Sequence, residues 1–515
     1  MHKKIYSIIL IFTVSYSFSQ TPEDALKLSW IHLNGTARNQ AIGGAMGSLG
    51  GDASAGQMNP AGLAFFKTSD FVLTPGFQFG KGKSNFRGTA NTGESVKNGG
   101  LGTTGFIFGG FGNRARNTFG LTINRLADFN QTTHYKGQND YSSYGEPLAD
   151  EFASSGLTID QALLYSSNIS LQTKMALYTY VVDTLRVNGI LKVVALSENP
   201  TIRNQESLTE SKGGITELNF GWGTEINKKW MAGISFGVSL INHERKTYYH
   251  ESDASGNTNN NFSFLTYDEF FTQKGFGLNL RGGLIYRPKE YIRLGLAVHS
   301  PTTMYLKEET TAGFAADLEN RFGAGNGYDS VSYSVLTGGS KPAFKYAFNS
   351  PTKIILSGSY VFREVEDIRR QKGFVTADIE YTNYKWMYYG PSSGEINADT
   401  KVPYVPFNQA IDAFYKSAFN FRVGGELKFK TVMTRLGFAY YGNPYKDNSE
   451  LKARKMFLSG GLGYRNKGIF VDLTYVHRLN KDVNFPYRVN APRANTFATL
   501  KDGGGKLLLT LGFKI

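Results

Sequence analysis

The sequence predicts an all-β membrane protein: a transmembrane antiparallel β-barrel of about fourteen strands, with an N-terminal hatch inside its lumen. Three observations predict it. The chain opens on a secretory leader, its later residues alternate apolar and polar with period two, and the connections between alternating segments are short and long in turn.

The leader comes first. His2, Lys3 and Lys4 form a basic start, Ile5 to Val14 an almost unbroken apolar run, and Ser17-Phe18-Ser19 a small-residue site for cleavage near Gln20, so residues 1-20 are expected to be a signal peptide. The apolar run is too short to cross a bilayer as a helix. None of the 515 residues is cysteine, so neither disulfides nor a lipid anchor on a cysteine is available. Beyond the leader no run of about 18 apolar residues occurs, which excludes a transmembrane helix.

Composition suits strands with one greasy face and one small or polar face. Hydrophobic residues make up only 41%, while 59 Gly, 38 Phe and 30 Tyr are present. The net charge of +14 is scattered along the chain with no Lys/Arg block, so it is read as solvated loops and a polar lumen, and no nucleic-acid partner is expected.

Alternation runs from about residue 70 to the end of the chain. Ile234, Phe236, Val238 and Leu240 share one face, as do Ile292, Leu294, Leu296 and Val298; Val375, Ala377, Ile379 and Tyr381; and Ile469, Val471, Leu473 and Tyr475. Strands are expected near 71-80, 101-111, 117-129, 215-226, 230-247, 275-287, 291-304, 352-364, 372-385, 418-430, 432-442, 454-466, 468-479 and 506-515. An even count closes an antiparallel barrel, in which every backbone group within lipid finds a partner.

The connections at Gly112 to Arg116, Asn227 to Lys229, Pro288 to Glu290, Val365 to Gln371, Thr431 and Lys467 are short, and those between them are long. Short periplasmic turns and long external loops are the asymmetry of outer-membrane barrels. The last strand places Leu507, Leu509, Leu511 and Phe513 on one face, with the aromatic third from the end. The expected localisation is therefore the outer membrane of a Gram-negative cell, with membrane lipid and the barrel-insertion machinery as partners.

Residues 21-69 do not alternate. They are Gly-rich and punctuated by Gly43-Gly44, Gly50-Gly51-Asp52 and Asn59-Pro60-Ala61, and about fifty residues suffice to plug a lumen of this width. The order Thr36-Ala37-Arg38-Asn39, Gly43-Gly44-Ala45, Asp52-Ala53-Ser54-Ala55 and Asn59-Pro60-Ala61-Gly62-Leu63 resembles the N-terminal hatch of the FadL/TodX family of outer-membrane transporters for long-chain fatty acids and other hydrophobic compounds. The resemblance implies a fourteen-stranded barrel over residues 70-515, a hatch over 21-69 that moves as ligand is released, and a defect in the third strand that opens the wall toward lipid. It places the hatch element at Asn59, Pro60 and Ala61, with Gly43, Gly44 and Asp52 upstream. Taken alone, Asn-Pro simply starts a turn, and Gly120 in the third strand is a candidate for the kink.

Phe262, Phe264, Leu265, Tyr267, Phe270 and Phe271 fall within ten residues of an expected external loop, where they could form an apolar landing surface, pack the loops together or belong to an extended strand hairpin. The resemblance implies the first, because the family's outer groove is built from the loops after the fifth and seventh strands. Residues 130 to 214, the longest loop, carry the spacing of short helices that close the barrel top. Asp378, Glu380, Arg422, Glu426 and Lys428 form an expected inner-face ladder, and Arg281, Arg293 or Arg422 could instead hold a ligand carboxylate.

Catalytic and metal signals are poor. His243 with His250 has no zinc-motif spacing, Gly82-Lys83-Ser84 lacks the first glycine of a phosphate loop because Phe77 stands there, and no Gly-x-Ser-x-Gly occurs. The sequence reading is thus a monomeric, cofactor-free transporter for passive uptake of fatty acids or other hydrophobic small molecules, not an enzyme. A surface-interaction or adhesion barrel without transport is the alternative.

Overall fold

A computed structural model describes residues 22-111, 117-164, 167-323, 325-339, 343-362, 372-393, 401-446, 453-490 and 493-515. The leader at 1-20 and the turns at Gly112 to Arg116 and Val365 to Gln371 lie outside them.

Among the described residues fourteen antiparallel strands close into one barrel. Several are interrupted once and continue. They are β1 (Asp70–Leu73, then Pro75–Phe86), β2 (Thr89–Leu101, then Thr104–Phe111), β3 (Asn117–Asp128, then Gln131–Asn139), β4 (Arg203–Asn227) and β5 (Trp230–Asp253). There follow β6 (Phe264–Lys289), β7 (Ile292–His299, then Thr303–Asp317), β8 (Ala343–Asn349, then Lys353–Phe362) and β9 (Gly373–Asn383, then Tyr388–Gly390). The last are β10 (Ser417–Phe429), β11 (Val432–Tyr441), β12 (Lys455–Asn466), β13 (Ile469–Asn484) and β14 (Ala498–Lys514). Closure is made by β1 against β14, with Phe71 opposite Phe513. No helix among the described residues is long and apolar enough to cross a membrane.

The outer face is the apolar one. Ile234, Phe236 and Leu240 on β5, Leu294, Leu296 and Val298 on β7, Val375 and Ile379 on β9, and Leu473 and Tyr475 on β13 are all exposed, as the alternation predicts. Aromatic pairs mark the two edges of this band. Trp230 stacks on Tyr286 at 4.4 Å near the short turns, while Phe276 meets Tyr305 at 5.4 Å and Phe79 meets Tyr475 at 6.5 Å near the long loops. From Trp230 to Leu240 the strand runs about 33 Å, which at a tilt of about 40° spans roughly the 25 Å of an outer-membrane apolar band.

Beyond that band β4 to β7 continue as a long extracellular sheet. Tyr248 on β5 is still paired with both Leu208 and Asp268. Here the strands outrun their expected ends, because the outward positions above Leu240 are Asn242, Glu244 and Lys246 and the apolar alternation stops where lipid stops. The short turns fall close to expectation. Lys467 and Gly468 take positive φ of 45° and 85°, the left-handed pair that a tight hairpin needs.

A cap covers the long-loop end. Helices α4 (Gly145–Ser155), α5 (Ile159–Leu163) and α6 (Leu171–Tyr178), with the hairpin Val182–Val187 and Ile190–Ala195, belong to one buried cluster with Tyr249, Phe262, Leu265, Tyr267 and Phe314. The expected short helices of the long loop are present, and they pack as a lid on the extracellular sheet.

Candidate functional site

The lumen holds the N-terminal segment. It comprises α1 (Pro22–Ser29), α2 (Ala37–Ala41), α3 (Ala55–Met58) and a 3-10 turn (Pro60–Phe65). The reason it fits is the inner face of the wall, which alternates glycine with small hydroxyl residues. A Cβ at Gly233 would stand 2.3 Å from the carbonyl carbon of Pro60, one at Gly283 1.9 Å from Asn59 Oδ1, and one at Gly437 2.1 Å from the Gly43 nitrogen. Gly233 and Gly437 thus admit backbone, and Gly283 the Asn59 side chain, where a larger residue would clash. The hydroxyls satisfy that backbone: Thr474 Oγ1 donates to the Ala37 carbonyl at 2.8 Å, Ser235 Oγ to Gly56 at 2.6 Å, and Thr376 Oγ1 to Ala45 at 3.0 Å. Small wall residues thus convert the barrel interior into a socket.

Within the segment, Asp52 accepts from Thr36 Oγ1 and the Ser54 amide at 2.9 Å each, and Thr36 in turn caps α2 by accepting from the Asn39 amide at 3.1 Å. Gly43 and Gly44 hold φ of 67° and 75°, a left-handed bend closed to most side chains. Asn59 accepts from the Ala61 amide at 3.1 Å and donates from Nδ2 to the Gly47 carbonyl at 2.6 Å, and Pro60 opens the 3-10 turn. So Asn-Pro does start a turn here, and Asn59 also ties two parts of the segment together.

The upper lumen is apolar and α1 fills it. Leu26, Leu28 and Trp30 share a buried cluster with Met304, Tyr346, Phe348, Tyr389 and Tyr415. One cation goes with them: Lys27 Nζ lies 2.9 Å from His243 Nε2 and 3.0 Å from Ser211 Oγ, and burial together with Arg245 lowers its pKa to about 7.

The lower lumen carries ion pairs between wall strands. Arg281 forks onto Glu217 with two contacts of 2.7 Å, Arg422 donates to Glu380 at 2.9 Å, and Arg435 bridges Glu426 at 2.6 Å and Asp472 at 2.5 Å. Arg293 donates to the Leu49 carbonyl at 2.7 Å and lies over the Phe65 ring. The inner-face charges therefore serve mainly as the structural ladder expected of them.

Among the described residues the wall has a defect between β2 and β3. The ladder between β2 and β3 stops at Thr104 opposite Ile123. Above it, Thr89–Leu101 pairs with β1 alone, whereas β3 stays on β4 through a bulge between Arg125 and Ala127 and a break before Gln131. The two sides meet again near the top, where Asn91 Nδ2 donates to the Lys136 carbonyl at 2.9 Å and Ser84 Oγ to His134 at 2.6 Å. Between these limits lies a window, crossed by a hydrogen bond from Asn98 to Asp128. Gly120, the expected kink, sits in regular pairing with Ile107 and Gly221, so the defect is about five residues further on, where Arg125 to Ala127 carries the bulge.

Behind the window is a chamber lined by Gly100 and Asn98 of β2, Leu126 and Asp128 of β3, and His32 and Leu33 of the N-terminal segment. Arg125, Arg478 and Lys506 supply positive charge to its wall. A second, narrower chamber above α3 shares His32 and Leu33 with the first and is lined by Arg281, Lys353 and Arg422.

The whole barrel matches solved structures. A Pseudomonas aeruginosa FadL homologue superposes with a TM-score of 0.53 at 13% identity over 94% of this chain and 99% of that one. The deltaS2 mutant of the TodX monoaromatic hydrocarbon channel gives 0.52 at 13% identity, over 93% of this chain and 98% of that one. The chain has the FadL fold. No protein-family model and no curated protein matches it.

On this FadL fold the aromatic run at 262-271 is not a loop surface. Residues 264 onward belong to β6, and strand alternation splits them between its faces. Phe262, Leu265 and Phe271 are wholly buried, the first two in the cap cluster and Phe271 under the Arg245 guanidinium at 4.5 Å. Phe264 is half-buried near Tyr328, and Phe270 is exposed on the outside with Lys246 over its ring. Arg422 is committed to Glu380 yet still lines the second chamber. Sequence reasoning missed Asn98, Asp128 and Lys506, because a missing backbone ladder leaves no mark on side-chain alternation.

Proposed function

We propose that this protein takes up hydrophobic small molecules, long-chain fatty acids or aromatic hydrocarbons among them, passively across the outer membrane. The observation that supports the reading best is the window between β2 and β3, which opens a chamber in the barrel toward lipid above an N-terminal segment seated in its glycine socket. Ligand reaching the chamber leaves sideways into the membrane. His32 and Leu33, shared by both chambers, are the part of the segment that must shift to join them. Arg125, Arg478 and Lys506 give the chamber a place for a polar or anionic head, such as a carboxylate, while Leu126 faces the tail.

The test fills the chamber. A Cβ at Gly100 meets nothing within 4 Å, so Gly100→Trp adds bulk without strain. Uptake of labelled oleate and toluene by cells carrying the variant is expected to fall several-fold while the folded, heat-modifiable barrel is retained. Unchanged uptake by that folded variant would sink the proposal.

A surface-interaction role without transport is the second reading. What favours it is the tip of the cap hairpin, where Ile190 and Leu191 are exposed at 64% and 62%. No uptake of any apolar probe by the wild-type barrel would leave this reading standing.

A further inference from the structure

The cations of this chain are scattered in sequence, but the barrel register brings four of them into one row. Lys83 of β1 is directly opposite Lys501 of β14, Lys501 opposite Lys481 of β13, and Lys481 opposite Arg454 just before β12. Arg454 and Lys481 exchange backbone hydrogen bonds of 2.9 and 2.8 Å, which fixes the end of the row. All four side chains are exposed. At a strand spacing of about 4.8 Å the row places four positive charges within roughly 14 Å.

The neighbouring carboxylates do not neutralise it. Asp482 and Asp502 follow Lys481 and Lys501 in sequence, and alternation turns them to the opposite face, where they pair with Lys455 at 3.2 Å and Arg478 at 3.4 Å. Among the described residues no acidic side chain forms an ion pair with Lys83, Lys481, Lys501 or Arg454. Elsewhere at about this level carboxylates intervene: Lys246 faces Glu210 across β5 and β4, and in the shorter row of Lys274, Lys307 and Lys345 the middle lysine pairs with Glu309 at 2.6 Å. Like charges set directly opposite on one sheet face repel, so a row of four calls for an anion.

Its height says which anion. Two residues toward the membrane stand Lys81, Gly503 and Leu479, and two further on Phe79, Gly505 and His477, where Phe79 stacks on Tyr475 at the upper edge of the apolar band. The row therefore lies just outside the acyl region, at headgroup level. We propose that it binds the phosphates of an outer-leaflet lipid that carries more than one of them, clamping that lipid to the wall formed by β1, β14, β13 and β12. The lysines act as point charges on separate phosphate oxygens, and Arg454 can engage a phosphate with two donors. This site faces lipid on the outside of the wall and is separate from the transport route proposed above.

The test uses the full barrel in nanodiscs of phosphatidylcholine doped with lipid A or with enzymatically dephosphorylated lipid A, whose acyl chains are unchanged. Retained lipid is read by native mass spectrometry. Wild type is expected to hold the bis-phosphorylated form about ten-fold more than the dephosphorylated one, with the preference weakened by high salt. The triple variant Lys83→Gln, Lys481→Gln, Lys501→Gln should lose the preference, and the triple variant Lys228→Gln, Lys229→Gln, Lys246→Gln, two of whose lysines stand at a short turn at the other end of the barrel, should keep it. Lys501→Gln alone serves if the first triple variant does not fold. Equal retention of both lipids, equal loss in both triple variants, or displacement by inorganic phosphate at the lipid's own concentration would overturn the assignment.

Discussion

Asn98 on β2 and Asp128 on β3 are joined by a side-chain hydrogen bond across the stretch of wall where the backbone ladder between those strands is missing. A wall held there by side chains opens at a cost far below that of unzipping a ladder. Removal of the Asn98 amide should make passage easier, and Asn98→Ala is expected to raise the uptake rate of an apolar probe about three-fold to ten-fold, the equivalent of the roughly 0.5–1.5 kcal/mol that one hydrogen bond contributes net. A lower rate in the folded variant would mean that the amide guides ligand and does not latch the wall.

The glycine socket makes a second prediction. A side chain at position 437 would have to occupy the place of the Gly43 backbone, and one at 283 that of the Asn59 side chain. Gly437→Val or Gly283→Val should therefore leave a folded barrel with a displaced N-terminal segment. Planar-bilayer recordings should show conductance that wild type lacks, and limited proteolysis should cut within residues 22-66.

Arg435 is wholly buried between Glu426 and Asp472. Arg435→Leu strands Asp472 in the lumen and leaves Glu426 to Arg38 alone, and it is expected to cost about 3–5 kcal/mol, read as a lowered urea midpoint for the detergent-folded barrel. Loss of under about 1 kcal/mol would show that water reaches the pair.

The docking of α1 should depend on pH through Lys27. Its pKa falls from the ordinary 10.5 to about 7 in the folded state, so the undocked chain holds the extra proton between those values. Docking is weakest below pH 7 and strengthens as pH rises from 7 toward 10.5. Hydrogen exchange of the α1 amides, corrected for the intrinsic rate, should show protection increasing over that window, and Lys27→Met should abolish the dependence.

How much of this was legible depends on what lipid imposes. The outward positions of β5, β7, β9 and β13 could be read from sequence because only apolar residues face acyl chains, and the short turns because tight hairpins demand residues such as Lys467-Gly468. Above Leu240 the outward face meets water, and strand and loop look alike. That is why Phe264 to Phe271 read as readily as a loop as an extended strand hairpin, when alternation in fact buries Leu265, Tyr267, Glu269 and Phe271. Pairing was not legible at all. The bulge at Arg125, the missing ladder above Thr104 and the alignment of Lys83, Lys501 and Lys481 all depend on register between segments as far apart in the chain as β1 and β14.

The Ala37 amide donates to Thr510 Oγ1 at 2.8 Å, joining residues 473 positions apart. The first part of the lumen segment thus completes its seat only when the last strand is in place. It is translated earliest and docks latest, so during assembly it must wait, exposed, while the wall is laid down around an empty centre. Contacts of such sequence separation form slowly. A barrel halted short of β14 would lack the Thr510 acceptor of the Ala37 amide and would leave its own beginning only partly seated, on the Ser459 and Thr474 hydroxyls.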